Sequence, residues 1–155
     1  MTAPKGYALS TLKDFLGQDF GSSEPMKITQ HRINTFADAT GDYQWIHTNP
    51  EMAKKHSPFG GTVAHGFLSL SFVAGAMAST GIVPKEAKGV LNYGVEGVRF
   101  LSPVLTGSDV VASFVLKDVT EKGKGQYLIS VDATVTVPGA PKPALVGTFL
   151  AMVMG

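Results

Sequence analysis

Asp42 and His47 stand five positions apart in Ala39-Thr40-Gly41-Asp42-Tyr43-Gln44-Trp45-Ile46-His47, and Val63-Ala64-His65-Gly66 follows at the head of a long apolar run. The first stretch offers a carboxylate and an imidazole, with ordinary pKa values of about 3.9 and about 6.5. The second offers the exposed N–H donors of a helix start. An acid and a base set beside oriented N–H groups are the minimum parts for proton transfer on a carbonyl compound.

Five positions correspond to about 140° around a helix of 3.6 residues per turn, and to opposite faces of a strand, so neither element makes the pair converge. A loop does. Gly41 ends a helical pattern before Asp42, Asn49-Pro50 starts another after His47, and Trp45 and Ile46 supply apolar anchors between them. Spacing alone favours plainer roles, Asp42 as a cap or Asx-turn and His47 as a partly buried histidine with a satisfied hydrogen bond. Asp42, His47, His56 and His65 could form a two-His, one-carboxylate metal site. No pair of these histidines has the His-x-x-x-His or His-x-His spacing that fixes two ligands on one element, so no metal is expected. Gly-x-Ser-x-Gly is absent, Ser69 and Ser71 fall inside the apolar run, and there is no glycine-rich phosphate loop.

The elements that must hold these residues are legible in part. Thr29 is placed to cap a helix in which Ile33, Phe36 and Ala37 share one side, with Gly41 as its stop. Asn49-Pro50-Glu51 opens a second, short helix. Residues 66–79 carry apolar side chains in nearly every direction, which predicts a buried helix. A membrane span is the rival, diluted by His65, Ser69, Ser71, Ser79 and Thr80 and lacking basic anchors. Residues 10–16 predict a short helix capped by Ser10, and residues 20–28 an edge strand at best, because Pro25 cannot donate to a ladder. After Pro84, residues 90–95, 98–101, 110–119, 127–137 and 144–154 are rich in β-branched and aromatic side chains, and 127–137 alternates strictly. Helices first and hairpin-connected strands afterwards predict an α+β domain whose antiparallel sheet wraps the apolar helix. Such a sheet leaves an edge strand suited to a second copy of the chain.

The chain has 155 residues, 44% of them hydrophobic and 16% charged, which suits one domain with a real core. Thirteen basic and twelve acidic residues leave a net charge of +1 without a basic run, which argues against nucleic acid. The absence of cysteine suits a reducing cytoplasm and excludes a thiolate nucleophile or thiolate zinc site. Met1-Thr2-Ala3-Pro4-Lys5-Gly6 lacks the apolar core of a secretory signal, so the mature protein is expected to begin there.

Residues 36–47, Phe-Ala-Asp-Ala-Thr-Gly-Asp-Tyr-Gln-Trp-Ile-His, and residues 58–67, Pro-Phe-Gly-Gly-Thr-Val-Ala-His-Gly-Phe, together resemble the MaoC-like hydratases, the (R)-specific enoyl-CoA hydratase family. Gln44-Trp45-Ile46-His47 and the later Asn92-Tyr93-Gly94-Val95 through Arg99-Phe100 resemble its nodulation N-like branch. The resemblance covers nearly the whole chain. It implies a hot-dog fold, with the sheet wrapped around residues 66–79, and a homodimer. It also places the family's catalytic Asp and His on Asp42 and His47, which reverses the balance left by spacing alone. Two departures stand out: the family's pattern more usually has Asn and Pro where this chain has Gln44 and Trp45, and a Ser that some members carry in the central helix falls on Ala74.

In the implied reaction, water held between Asp42 and His47 adds to C3 of a trans-2-enoyl-CoA while a proton reaches C2, giving the (R)-3-hydroxyacyl-CoA. The family's oxyanion donor is the backbone N–H that corresponds to Gly66. His47 is the base toward water in this reading, and Asp42 orients it and shares in proton delivery. Gln44, Asn92 and Tyr93 are candidate substrate contacts, and Phe67, Leu70 and Phe72 candidate tunnel walls that equally suit a core. Asn92 equally suits a strand or turn, and His65 reads as part of the helix start. Lys85, Lys88 and Arg99 could meet coenzyme A phosphates, although isolated surface bases are usually only solvated. Coenzyme A enters as substrate, and no other cofactor is implied. A hot-dog thioesterase and a non-catalytic acyl-thioester-binding module are the rivals.

Overall fold

The computed structural model describes residues 3–155; Met1 and Thr2, where the mature N-terminus is expected, lie outside the described residues. A short 3-10 helix, Leu9–Phe15, is followed by β1 (Asp19–Ser22), β2 (Met26–Lys27), α1 (Gln30–Thr40), α2 (Trp45–Thr48), α3 (Pro50–His56) and α4 (Gly66–Thr80). The strands β3 (Gly89–Phe100), β4 (Asp109–Gly123), β5 (Gln126–Thr136) and β6 (Leu145–Met154) complete the order.

The sheet runs β1-β4-β5-β6-β3, antiparallel throughout, with β2 added on β4. Alternation sets which face is buried: Val110, Ala112, Phe114 and Leu116 of β4 and Ile129, Val131, Ala133 and Val135 of β5 point into the core. Val73, Ala76 and Met77 of α4 join the same core cluster. This is the hot-dog arrangement, an antiparallel sheet with one long apolar helix against it. No helix among the described residues is long and apolar enough to cross a membrane.

The structure amends four sequence-based expectations. The 3-10 helix is capped at Ala8 rather than Ser10. The edge segment 20–28 resolves into β1 and β2, interrupted around Pro25. The two expected strands, residues 90–95 and 98–101, merge into the single β3, Gly89–Phe100, with register shifts and without Leu101, and the second shift spans Gly97, whose φ of 58° a side chain would resist. The helix α4 is half-covered rather than buried all round: Ser69, Val73, Ala76, Met77 and Thr80 are buried, while Phe67 is 65% exposed.

Expected caps are present where they matter. The Thr29 hydroxyl accepts from the Arg32 N–H at 3.2 Å, and the Asn49 side chain accepts from the Met52 N–H at 3.0 Å. Gly41 closes α1 in the left-handed region at φ 79°, its N–H donating to the Ala37 carbonyl at 2.8 Å. A Cβ at Gly41 would meet open space, so Gly41→Ala isolates the backbone cost, about 1–2 kcal/mol of stability. Urea denaturation measures it; an unchanged midpoint would show that this turn does not need the left-handed conformation.

Candidate active site

The left-handed turn at Gly41 delivers Asp42 into the short connection between α1 and α2. There the Asp42 Oδ1 accepts from the Gln44 N–H at 3.3 Å, an Asx-turn. The Gln44 carbonyl in turn accepts the N–H groups of His47 and Thr48 at 2.9 and 3.2 Å, which starts α2. The connection is therefore part loop and part helix: Asp42 sits in the loop, while His47 projects from a single helical turn. That mixture solves the spacing problem, because the loop redirects the chain before the helical turn begins.

His47 is 8% exposed and Asp42 is exposed, so the pair straddles the boundary between interior and solvent. The His47 Nδ1 lies 2.7 Å from the Val63 carbonyl oxygen. A carbonyl can only accept, so Nδ1 carries the hydrogen, and in the neutral ring the free lone pair is on Nε2. Val63 is itself fixed by its N–H to the Ile46 carbonyl at 3.0 Å and by an antiparallel bridge to Leu105. Gln30 braces α2 from behind: its Nε2 donates to the His47 carbonyl at 2.7 Å, and its Oε1 accepts from the Thr62 hydroxyl at 2.6 Å. Sequence reading missed Gln30, because nothing local to α1 signals a partner seventeen residues away.

His65, at the N-cap of α4, is 3% exposed and completes the cluster. Its Nε2 lies 2.9 Å from the Asp42 carbonyl oxygen, and its ring stacks on that of His47 with centroids 3.9 Å apart and planes 27° apart. One ligand-type atom each from Asp42, His47 and His65 falls within 4.8 Å of the other two. His56, at the end of α3, is exposed and outside this group. A metal ion lies near the plane of each imidazole that binds it, about 2.0–2.1 Å from the nitrogen. Rings stacked face to face do not converge on such a point, so the geometry suits proton transfer better than coordination.

The N-cap side chain leaves the head of α4 uncapped, and among the described residues no hydrogen-bond acceptor meets the Gly66 N–H. Gly66 borders a cleft of about 290 Å³ with Phe59, Ser69, Phe100 and Pro103. A Cβ at Gly66 would lie 3.0 Å from the Phe100 ring, a tight contact that the ring would have to yield to by a few tenths of an ångström. Gln44 is exposed, and its backbone, rather than its amide, is what shapes the turn. Asn92 and Tyr93 lie on β3, where they share a cavity of about 330 Å³ with Leu70, Ala74 and Met77; Asp42 and His47 do not line it. A neighbouring cavity of about 560 Å³ also includes Ala74, Met77 and Asn92, and reaches Lys85. Tyr43 stands 59% exposed beside the turn, its hydroxyl donating to Asp38 at 2.9 Å, and that bond raises the phenol pKa.

An uncapped helix head beside a carboxylate and a singly protonated imidazole, within an antiparallel sheet on a central helix, defines a hot-dog protein with an acid–base cluster. The MaoC like domain matches residues 12–138, and the chain belongs to the MaoC-like dehydratase family. It is 40% identical over 148 residues to nodulation protein N of Rhizobium leguminosarum bv. viciae, covering 94% of this chain and 91% of that one. It is 45% identical over 130 residues to 3-hydroxyacyl-thioester dehydratase Z of Mycobacterium tuberculosis (strain ATCC 25618 / H37Rv), covering 84% and 85%. The fold is also that of the (R)-hydratase from A. caviae involved in PHA biosynthesis, with TM-score 0.71, 20% identity, and coverage of 88% and 94%.

Proposed function

We propose that this protein hydrates trans-2-enoyl-CoA to (R)-3-hydroxyacyl-CoA and runs the reverse dehydration. The observation that carries the reading is the His47 Nδ1 hydrogen bond to Val63, which leaves Nε2 as a base in a cluster with Asp42. Water held between the two gives its oxygen to C3 while a proton is delivered to C2. His47 Nε2 takes the proton from water, and Asp42 orients the water and shares in returning the proton. Negative charge grows on the thioester oxygen as C3 is attacked, and the Gly66 N–H at the positive end of α4 is the donor for it. The reaction so written needs no cofactor or metal beyond the thioester itself.

The acyl chain extends along α4 toward the cavities shared by Ala74, Met77 and Asn92, with Tyr93 at the smaller of them. Ala74 offers no hydroxyl, and Asn92 lines the same cavities. The test is loss of conjugated enoyl absorbance when purified protein meets crotonyl-CoA and longer enoyl-CoAs. No turnover at any chain length sinks the assignment. Release of free thiol from saturated acyl-CoA would identify a thioesterase instead, and binding without turnover an acyl-thioester-binding module.

The protein works as a homodimer in this reading, in a reducing cytoplasm to which a cysteine-free chain is suited. Its support is the edge strand β3, where Leu91, Tyr93 and Val95 are 58%, 61% and 49% exposed, beside the uncovered Phe67 of α4. A long apolar edge left open is an aggregation site, and a second copy covers it by two-fold symmetry. The double variant Leu91→Glu, Val95→Glu is expected to sediment as a monomer, against a dimer of twice 16.3 kDa for the parent. A monomeric parent refutes the dimer.

A further inference from the structure

His65 joins every part of the cluster that the proposed reaction uses. Its ring lies face to face with His47 at 3.9 Å, its Nε2 is 2.9 Å from the Asp42 carbonyl, and its tilted contact with Phe36 has centroids 5.1 Å apart. Its own carbonyl accepts the N–H groups of Leu68 and Ser69 at 3.0 and 3.4 Å, which anchors the first turn of α4 one residue before Gly66. The carbonyl of Asp42 can only accept, so the neutral His65 ring carries its hydrogen on Nε2. Nδ1 is then a lone pair, and it is buried without a hydrogen-bond partner. An apolar ring would fill this place without orphaning a polar atom. What a histidine adds is the Nε2–H held by Asp42.

We propose that His65 is a positioning residue, a clamp that holds the main chain at Asp42 and the ring plane of His47 in register with the Gly66 N–H. Buried at 3% exposure, it acts through Asp42 and His47. The proposal rests on the hydratase reading for its kinetic consequence, while the clamp itself is a statement about ring orientation and tautomer.

His65→Phe keeps a flat ring against His47 and removes the donor to Asp42; His65→Gln restores an N–H donor without the stacking ring. The Phe variant is expected to keep the parent's circular dichroism and melting profile and to lose roughly 100-fold in kcat, the cost of a misplaced catalytic group, with KM within about two-fold. The Gln variant is expected to regain part of that loss. A folded Phe variant with kcat within two-fold of the parent, or a Gln variant no faster than the Phe variant, overturns the clamp. Imidazole nitrogen-15 spectra read it without turnover, so a protein inactive on enoyl-CoA sinks the hydratase reading and leaves this test standing. The parent should show the His65 proton on Nε2, held by the Asp42 carbonyl, and the His47 proton on Nδ1, held by the Val63 carbonyl. A His65 proton on Nδ1 in the parent refutes it.

Discussion

His47→Ala is expected to lower kcat for enoyl-CoA hydration by roughly 100-fold to 10,000-fold, the range in which a positioned general acid or base contributes. In the proposed reaction no second imidazole takes its place as the base toward water. The neighbouring imidazole of His65 has its Nε2 committed to the Asp42 carbonyl and its Nδ1 buried. Truncation also strips the Val63 carbonyl of its donor, which costs about 1 kcal/mol of net hydrogen-bond stability. Kinetics must therefore be paired with a melting curve, so that loss of the base is separated from loss of fold. A folded His47→Ala protein with more than a tenth of the parent's kcat would remove His47 from the chemistry.

Asp42→Asn has the second largest expected effect and the cleaner interpretation. The amide oxygen of Asn keeps the acceptor for the Gln44 N–H, so the Asx-turn and the start of α2 survive. Only the charge and the capacity to carry a proton are lost. Because Asp42 is exposed, stability should change by no more than about 0.5 kcal/mol, while kcat falls roughly 100-fold or more. Parallel measurement of thiol release from saturated acyl-CoA guards against a thioesterase, in which the enoyl signal would be irrelevant. Full activity in Asp42→Asn would reduce this carboxylate to the turn-former that spacing alone favours.

The two predictions depend on different layers of the molecule. Asp42 owes its place to local chemistry: a Thr-capped helix, a left-handed glycine and an Asx-turn, each visible in Thr29, Gly41 and Asp42 as sequence. His47 owes its state to a distant carbonyl, that of Val63, sixteen residues on. No pattern in residues 41–48 announces which nitrogen carries the hydrogen. The bracing amide of Gln30 and the stacked ring of His65 belong to the same class, reaching α2 only after α1 and α4 have packed.

The sheet shows the same division. Strict alternation in β5 reads out directly because one face meets the core and the other does not. In β3 the pattern misleads, since Gly97 and the register shifts make one bulged strand look like two. The apolar run of α4 likewise reads as a buried helix although Phe67, Ser71, Gly75, Ala78 and Ser79 are exposed. Hydrophobicity records what a side chain will bury against eventually, not whether this chain alone provides the cover.

The sequence by itself determined the α+β order, the Thr29 and Asn49 caps, the turn that presents Asp42, and the motifs that mark the MaoC-like family. Those features depend on neighbours within a few residues, where capping, left-handed glycine and period-two burial act. Only the tertiary structure decided the His47 tautomer, the face-to-face placement of His65, the exclusion of His56 and the bare edge at β3. Each of these requires two segments far apart in the chain to meet, and which segments meet is decided by the packing of the whole core.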